Sequence, residues 1–308
     1  MLAVAALYTV LSGGLDNVLP SVGDQGFCFP SAGEWGLERW WSMGLNLGAN
    51  AAIIVLMIVI NKAFNVLRAM TWLEVGLFGI MQAAIPRELT TLNSGTIVCL
   101  CVAVCIYLIF SCYSEPRHVR TVFMAFLLLS LGTTTQYCLA LYIAVFWLML
   151  AQMRIFSLRT FSASLMGIAT VWIILFGFGI IEPTDLHLPS ITGIFGAIDL
   201  RAAVYLVSLT GLTVLLLVFS LALNVFKTIA YNARARAYNG ALTMLSLVTA
   251  IAMAADFNNL LAYLPLLNFC AAYQITHYFV NHRYDRQYIA VLAVGGAYII
   301  LYIWRLTL

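Results

Sequence analysis

The residues best equipped for chemistry stand in Asp16-Asn17 … Asp24 … Glu34-Trp35-Gly36-Leu37-Glu38-Arg39-Trp40-Trp41. Carboxylates along such a segment can act as general bases or as oxygen ligands to a divalent cation such as Mg²⁺ or Mn²⁺. A short helix over 32–42 would bring Trp35 and Trp41, with Glu34 and Glu38, to helical spacing. Two readings are open. One is an interfacial helix whose tryptophans sit at the headgroup level and whose carboxylates are solvated. The other is a platform in which Trp35 and Trp41 cover a lipid substrate while Asp16 or Asp24 meets its head group or a divalent cation. Arg39 and Arg87 could each neutralise a phosphate. His187 can exchange a proton near neutral pH, although a lone loop histidine is ordinarily just solvated. Glu182, Asp185, Asp256, Asn258 and Asn259 extend the same acidic, hydrogen-bonding set, with Asp256 read as a cap between two helices.

Glu74 is the one acid inside an apolar helix, and a carboxylate there is costly and by default functional. Gln82 follows eight residues on, along the same face. Snorkelling toward Lys62 or Arg68 is the plain alternative. Gly44-x-x-x-Gly48 with Asn46 and Asn50 reads as a close-packing helix face with hydrogen-bonding glue. Lys227, Tyr231, Arg234 and Tyr238 form a stripe on a surface helix suited to anionic lipid. His277 and His282 are too sparse for a metal site. Cys99, Cys101, Cys105 and Cys112 share an apolar run, as small hydrophobes do, and Cys28 stands apart from them, so no disulfide framework emerges. No cleavable signal is expected, since the N-terminus has no basic region. No phosphate-binding, dinucleotide-binding or hydrolase motif is present.

These residues ride on a very apolar chain. Of 308 residues, 63% are hydrophobic and 9% charged, against about 25% charge in a soluble domain. That excludes a soluble enzyme, a nucleic-acid binder and a disordered scaffold. Apolar runs at 1–15, 43–61, 68–85, 95–113, 121–153, 160–181, 202–226, 239–255, 260–281 and 287–304 predict an all-α, polytopic transmembrane bundle of 10–11 helices. The whole of 1–308 is expected to form a single transmembrane domain.

The run 121–153 is too long for one crossing, about 50 Å at 1.5 Å per residue. Both its flanks are basic, and its middle reads Gly132-Thr133-Thr134-Thr135-Gln136. A short helical hairpin that turns there and returns to its own side meets both facts. With the N-terminus cytoplasmic, 11 of 15 Lys and Arg then lie inside and nine of 12 acids outside. One straight crossing would destroy that asymmetry, so the positive-inside pattern supports the hairpin independently of length.

The stretch Phe123-Met-Ala-Phe-Leu-Leu-Leu-Ser-Leu-Gly132 … Leu139-Ala-Leu-Tyr142 … Met153-Arg-Ile-Phe-Ser-Leu-Arg-Thr-Phe-Ser-Ala-Ser-Leu-Met-Gly167 resembles an uncharacterised family of Bacteroidetes-type inner-membrane proteins. Asn61-Lys62, Pro86 and Asn93 fit the same pattern. The layout is also similar to the GT-C class of glycosyltransferases, which use polyprenyl-phosphate sugars. That likeness implies envelope biogenesis, a lipid-linked substrate at the extracytoplasmic face, and a catalytic acid carried over to Asp16 or Asp24. The pattern departs in that neither aspartate stands in a paired-acid motif. Two other functions remain open: a non-catalytic membrane subunit that packs against protein partners, or a small-solute transporter resting on Glu74 and the broken helix.

Overall fold

The computed structural model describes residues 2–11, 26–69, 71–85, 89–115, 117–182, 184, 186, 200–228, 231–281 and 287–307. Eleven α-helices carry these residues: α1 (Leu2–Leu11), α2 (Arg39–Phe64), α3 (Leu73–Ala83), α4 (Ser94–Ser111), α5 (Val119–Thr133), α6 (Leu139–Gln152), α7 (Leu158–Gly177), α8 (Leu200–Thr228), α9 (Ala233–Ala255), α10 (Leu260–Asn281) and α11 (Gln287–Thr307). Among the described residues there is no strand. Arg39–Phe64, Ser94–Ser111, Leu158–Gly177, Val204–Val225 and Ala233–Ala255 are long and apolar enough to cross a membrane, which makes this a multi-pass membrane architecture.

The expected hairpin is present. Helices α5 and α6 have 15 and 14 residues, about 22 and 21 Å at the α-helical rise, short of the roughly 30 Å hydrocarbon core. The N–H of Ser114, ahead of α5, bonds the carbonyl of Met153, just after α6, at 3.1 Å. Both feet of the hairpin therefore stand at one end of the bundle.

Contacts between connections sort the molecule into two ends. At the basic end Asn239 Nδ2 donates to the Val66 carbonyl at 3.3 Å, the Tyr238 hydroxyl to that of Phe110 at 3.2 Å, and Lys227 Nζ to that of Asn281 at 2.9 Å. The hairpin-tip end holds the Leu92 N–H bonded to Ser42 Oγ at 2.7 Å, and the Tyr205 hydroxyl donating to the Ala84 carbonyl. All four non-glycine residues with positive φ among those described, Asn65, Arg68, Ser114 and Arg154, lie in basic-end connections. Asn65 is a left-handed C-cap that stops α2 within one residue.

Helix α10 is the axis. It packs against α3, α4, α8 and α9, and 18 of its 22 residues are buried. Enclosure explains why it is absent from the lipid-compatible set: its tyrosines, Asn268, Gln274, Thr276 and His277 face protein. Pro265 inside this helix lies beside Gly95 of α4, where a Cβ would stand 2.7 Å from the proline ring.

Several expectations are corrected. Gly44 and Gly48 are exposed with no neighbour within 4 Å, so they form no close-packing face; an i,i+4 pair fixes a stripe but not what the stripe meets. The close approach occurs at Gly167 of α7, where a Cβ would lie 2.6 Å from the Phe123 carbonyl of α5. The stripe from Lys227 to Tyr238 is split, because α8 ends at Thr228 and Asn232 caps α9 by accepting from the Ala235 N–H. Cys99, Cys101, Cys105 and Cys112 are buried free thiols, as their apolar setting implied. Burial pushes the Cys112 thiol above its ordinary range, so it stays protonated and unreactive at neutral pH.

The glycine assignment is testable in detergent. Gly167→Ala should lower the unfolding temperature, with overpacking that costs about 1–3 kcal/mol, whereas Gly44→Ala should leave it unchanged or raise it.

Candidate functional site

At the hairpin-tip end α9 stops at Asp256 and a 3₁₀ turn, Phe257–Asn259, leads into α10. Asp256 stands at the cap position between the two, as expected, but its side chain, only 3% exposed, makes no capping bond. Its carboxylate instead collects donors from three elements. The Tyr137 hydroxyl, from the hairpin turn, donates to Oδ2; the Tyr263 hydroxyl of α10 donates to the same oxygen at 3.2 Å. Asn259 Nδ2 lies 3.0 Å from Oδ1 and 3.1 Å from Oδ2, and also contacts the Tyr137 hydroxyl. Among the described residues no cation pairs with Asp256; the ion pair present joins exposed Glu115 and His118 at 2.6 Å. Burying a carboxylate costs several kcal/mol, and here hydroxyl and amide dipoles offset it.

The backbone above this centre is tied to the first loop. The N–H groups of Phe27 and Cys28 bond the carbonyls of Thr133 and Thr134 at 3.2 Å, and that of Phe29 bonds Thr134 at 2.9 Å. The turn carbonyls need such donors because lipid offers none. Gly26 makes the approach feasible, since a Cβ there would overlap the Thr134 carbonyl. The Thr133, Thr134 and Thr135 hydroxyls each bond a carbonyl three residues back. Gln136 is buried, and neither of its amide atoms finds a hydrogen-bond partner among the described residues.

One layer deeper the core stays polar. Asn50 Nδ2 donates to the Asn46 carbonyl at 3.0 Å, Gln82 Nε2 to Asn50 Oδ1 at 3.3 Å, and Asn268 Nδ2 to Gln82 Oε1 at 3.4 Å. This chain joins α2, α3 and α10. The basic half is different, filled by Phe64, Phe110 and Tyr238, with ring centroids 4.6–5.7 Å apart. That half also buries polar groups, among them Asn61 with Glu74 and Asn224 with Gln274.

The residues expected from sequence are dispersed. Asp16, Asp24, Arg87 and His187, with Asp185 and His282, lie outside the described residues. The expected helix at 32–42 is instead a 3₁₀ turn over Ala32–Glu34 and an extended stretch before α2. Gly36, at φ 64°, breaks it in a left-handed conformation that glycine supplies most readily. Trp35 and Trp41 consequently stand on different elements, 46% and 69% exposed, and the Trp35 indole N–H donates to the Pro30 carbonyl at 3.1 Å. Arg39 is exposed at the start of α2. Glu74 is not brought to this end. It sits in the first turn of α3, 1% exposed, and accepts from Asn61 Nδ2 at 3.0 Å and the Thr71 hydroxyl at 2.8 Å. It does not snorkel: Lys62 and Arg68 are exposed, and no ion pair joins either of them to it.

Asp256, Tyr137, Tyr263 and Asn259 form the centre that sequence reasoning did not assemble. A hydroxyl-lined carboxylate of this kind can orient a polar partner and accept its proton. Among the described residues no group of three His, Cys, Asp or Glu side chains could hold a metal ion; a divalent cation would depend on Asp16 and Asp24. No family model, curated protein or solved structure matches the chain.

Replacing Asp256 by Leu strips the acceptor from three buried donors, at about 1–3 kcal/mol for each one left unpaired. Thermal unfolding in detergent should therefore show a larger loss for Asp256→Leu than for Tyr263→Phe, which removes a single donor.

Proposed function

We propose that the chain is a multi-pass inner-membrane protein of bacterial envelope biogenesis that handles a lipid-linked sugar at its hairpin-tip end, in the manner of a GT-C-like glycosyl transfer. The observation that carries this reading is the buried Asp256 carboxylate. Among the described residues it is held by neutral donors, at the end where the first loop clamps the hairpin. We read the orientation from the cations: Lys62, Arg68, Arg117, Arg120, Arg154, Arg159, Lys227, Arg234 and Arg236 belong to the opposite end, which the positive-inside rule favours as the cytoplasmic one.

In this mechanism an acceptor hydroxyl displaces a tyrosine hydroxyl at Asp256 and passes its proton to the carboxylate. Its oxygen bonds to the anomeric carbon as the bond from that carbon to the lipid phosphate breaks, and the phosphate leaves with the electron pair. Asp16 and Asp24 serve as further acids or as ligands to a divalent cation, and His187 as a proton donor. Arg39 and Arg87 neutralise the leaving phosphate, while Trp35 and Trp41 hold the lipid at the headgroup level.

One observation favours a second reading, a small-solute transporter. Glu74 is also a buried carboxylate that accepts from neutral donors, and the amide chain from Asn46 to Asn268 joins α3, which carries Glu74, to α10, whose Tyr263 bonds Asp256. The two readings divide experimentally.

In a deletion strain complemented with variants, Asp256→Asn should fail to restore envelope assembly at normal protein level while Glu74→Gln restores it. Rescue by Asp256→Asn would remove the glycosyl-transfer reading. Failure of Glu74→Gln together with lost solute uptake would favour the transporter. For orientation, a cysteine at Glu34 should react with an impermeant maleimide in intact spheroplasts, and one at Glu115 only after permeabilisation. The reverse pattern would invert the topology.

A further inference from the structure

Helices α5 and α7 both start at the basic end, at Val119 and Leu158, and run parallel. They meet closely further along, where Gly167 lies against the Phe123 carbonyl and the Ser130 hydroxyl donates to the Ile168 carbonyl at 3.1 Å. Around their starts lies a groove of about 900 Å³. Arg117, Arg120 and Arg159 line it, and its remaining walls are apolar apart from Ser162, whose hydroxyl donates to the Leu158 carbonyl at 2.8 Å.

The charge here is one-sided. Among the described residues no carboxylate lines the groove. Glu115, the acid nearest in sequence, is engaged by His118, and among the described residues none of the three arginines is ion-paired. Neither helix carries an acid in its first turn, where the helix dipole already favours an anion. The apolar wall opens sideways, with Leu158 85% and Met166 65% exposed. In a membrane that wall must be covered by hydrocarbon, while three guanidinium groups at the interface call for a phosphate, which they can grip in bidentate fashion. A single molecule carrying both parts is a phospholipid with net negative charge.

We propose that this groove is a binding site for an anionic phospholipid of the leaflet at the basic end. The phosphate is held by Arg117, Arg120 and Arg159, and an acyl chain lies along Phe123, Leu158 and Met166. The site is separate from the Asp256 centre and stands whether or not the glycosyl-transfer reading does. Basic pockets between transmembrane helices commonly take lipid head groups of this charge.

The test uses the full-length chain in mild detergent, titrated with phosphatidylglycerol or with phosphatidylcholine of the same chains, and read by native mass spectrometry. The wild type should retain phosphatidylglycerol preferentially. The variant R117Q/R120Q/R159Q should bind it about a hundredfold more weakly, with phosphatidylcholine binding unchanged. The control R154Q/R236Q, also at the basic end but outside the groove, should behave as wild type. If the triple variant does not purify, R120Q and R159Q alone should each show a partial loss. Unchanged phosphatidylglycerol binding in the groove variants would overturn the proposal, as would an equal loss in the control. Displacement of the lipid by millimolar inorganic phosphate would overturn the lipid assignment in favour of a free phosphate.

Discussion

A helix that carries three tyrosines, two asparagines, a glutamine, a threonine and a histidine cannot face hydrocarbon, and the whole bundle follows from enclosing it. Helix α10 is surrounded by α3, α4, α8 and α9, and it meets a polar partner at nearly every turn. Tyr263 reaches Asp256, Asn268 reaches Gln82, the Tyr273 hydroxyl donates to the Met57 carbonyl, and Gln274 accepts from Asn224. Each of these bonds satisfies a group that would cost several kcal/mol in lipid, so each fixes the rotation of a neighbouring helix. The apolar outer helices can then be lipid-compatible without specifying the packing themselves.

The same constraint accounts for the short hairpin. A turn within the membrane is tolerated only where its backbone groups are satisfied by protein. The first loop supplies three N–H donors to the Thr133 and Thr134 carbonyls, and Tyr137 at the turn anchors on Asp256. The result is a bundle whose hairpin-tip end holds the Asp256 centre and whose other end carries the cations and an aromatic cluster. The Asp256 centre is the reason to look for substrate chemistry at the hairpin tip, and Arg117, Arg120 and Arg159, which no described residue ion-pairs, the reason to look for lipid recognition at the other end.

The helices and the hairpin were legible in the sequence because length, apolar runs and the sidedness of Lys and Arg are properties of single segments. Asn46 and Asn50 were legible as glue for the same reason. The glycine pair beside them misled, since spacing places Gly44 and Gly48 on a stripe but does not say that the stripe meets lipid. Asp256 was illegible: its local pattern, Asp-Phe-Asn-Asn, is that of an ordinary cap, and the partners that reveal its role include Tyr137, 119 residues away. Glu74 was recognised as costly, but Asn61 and Thr71, not a surface cation, carry the cost.

The central claim is that a saccharide-bearing lipid binds at the hairpin-tip end. Photocrosslinking in native membranes addresses it directly, with benzoylphenylalanine placed at Phe29, which is 36% exposed beside the hairpin turn, and, as a reference, at the basic-end Trp72. The account predicts an adduct with the mass of a lipid-linked saccharide at position 29 and none at position 72. Saccharide adducts at position 72 alone, or plain phospholipid alone at both positions, would contradict it.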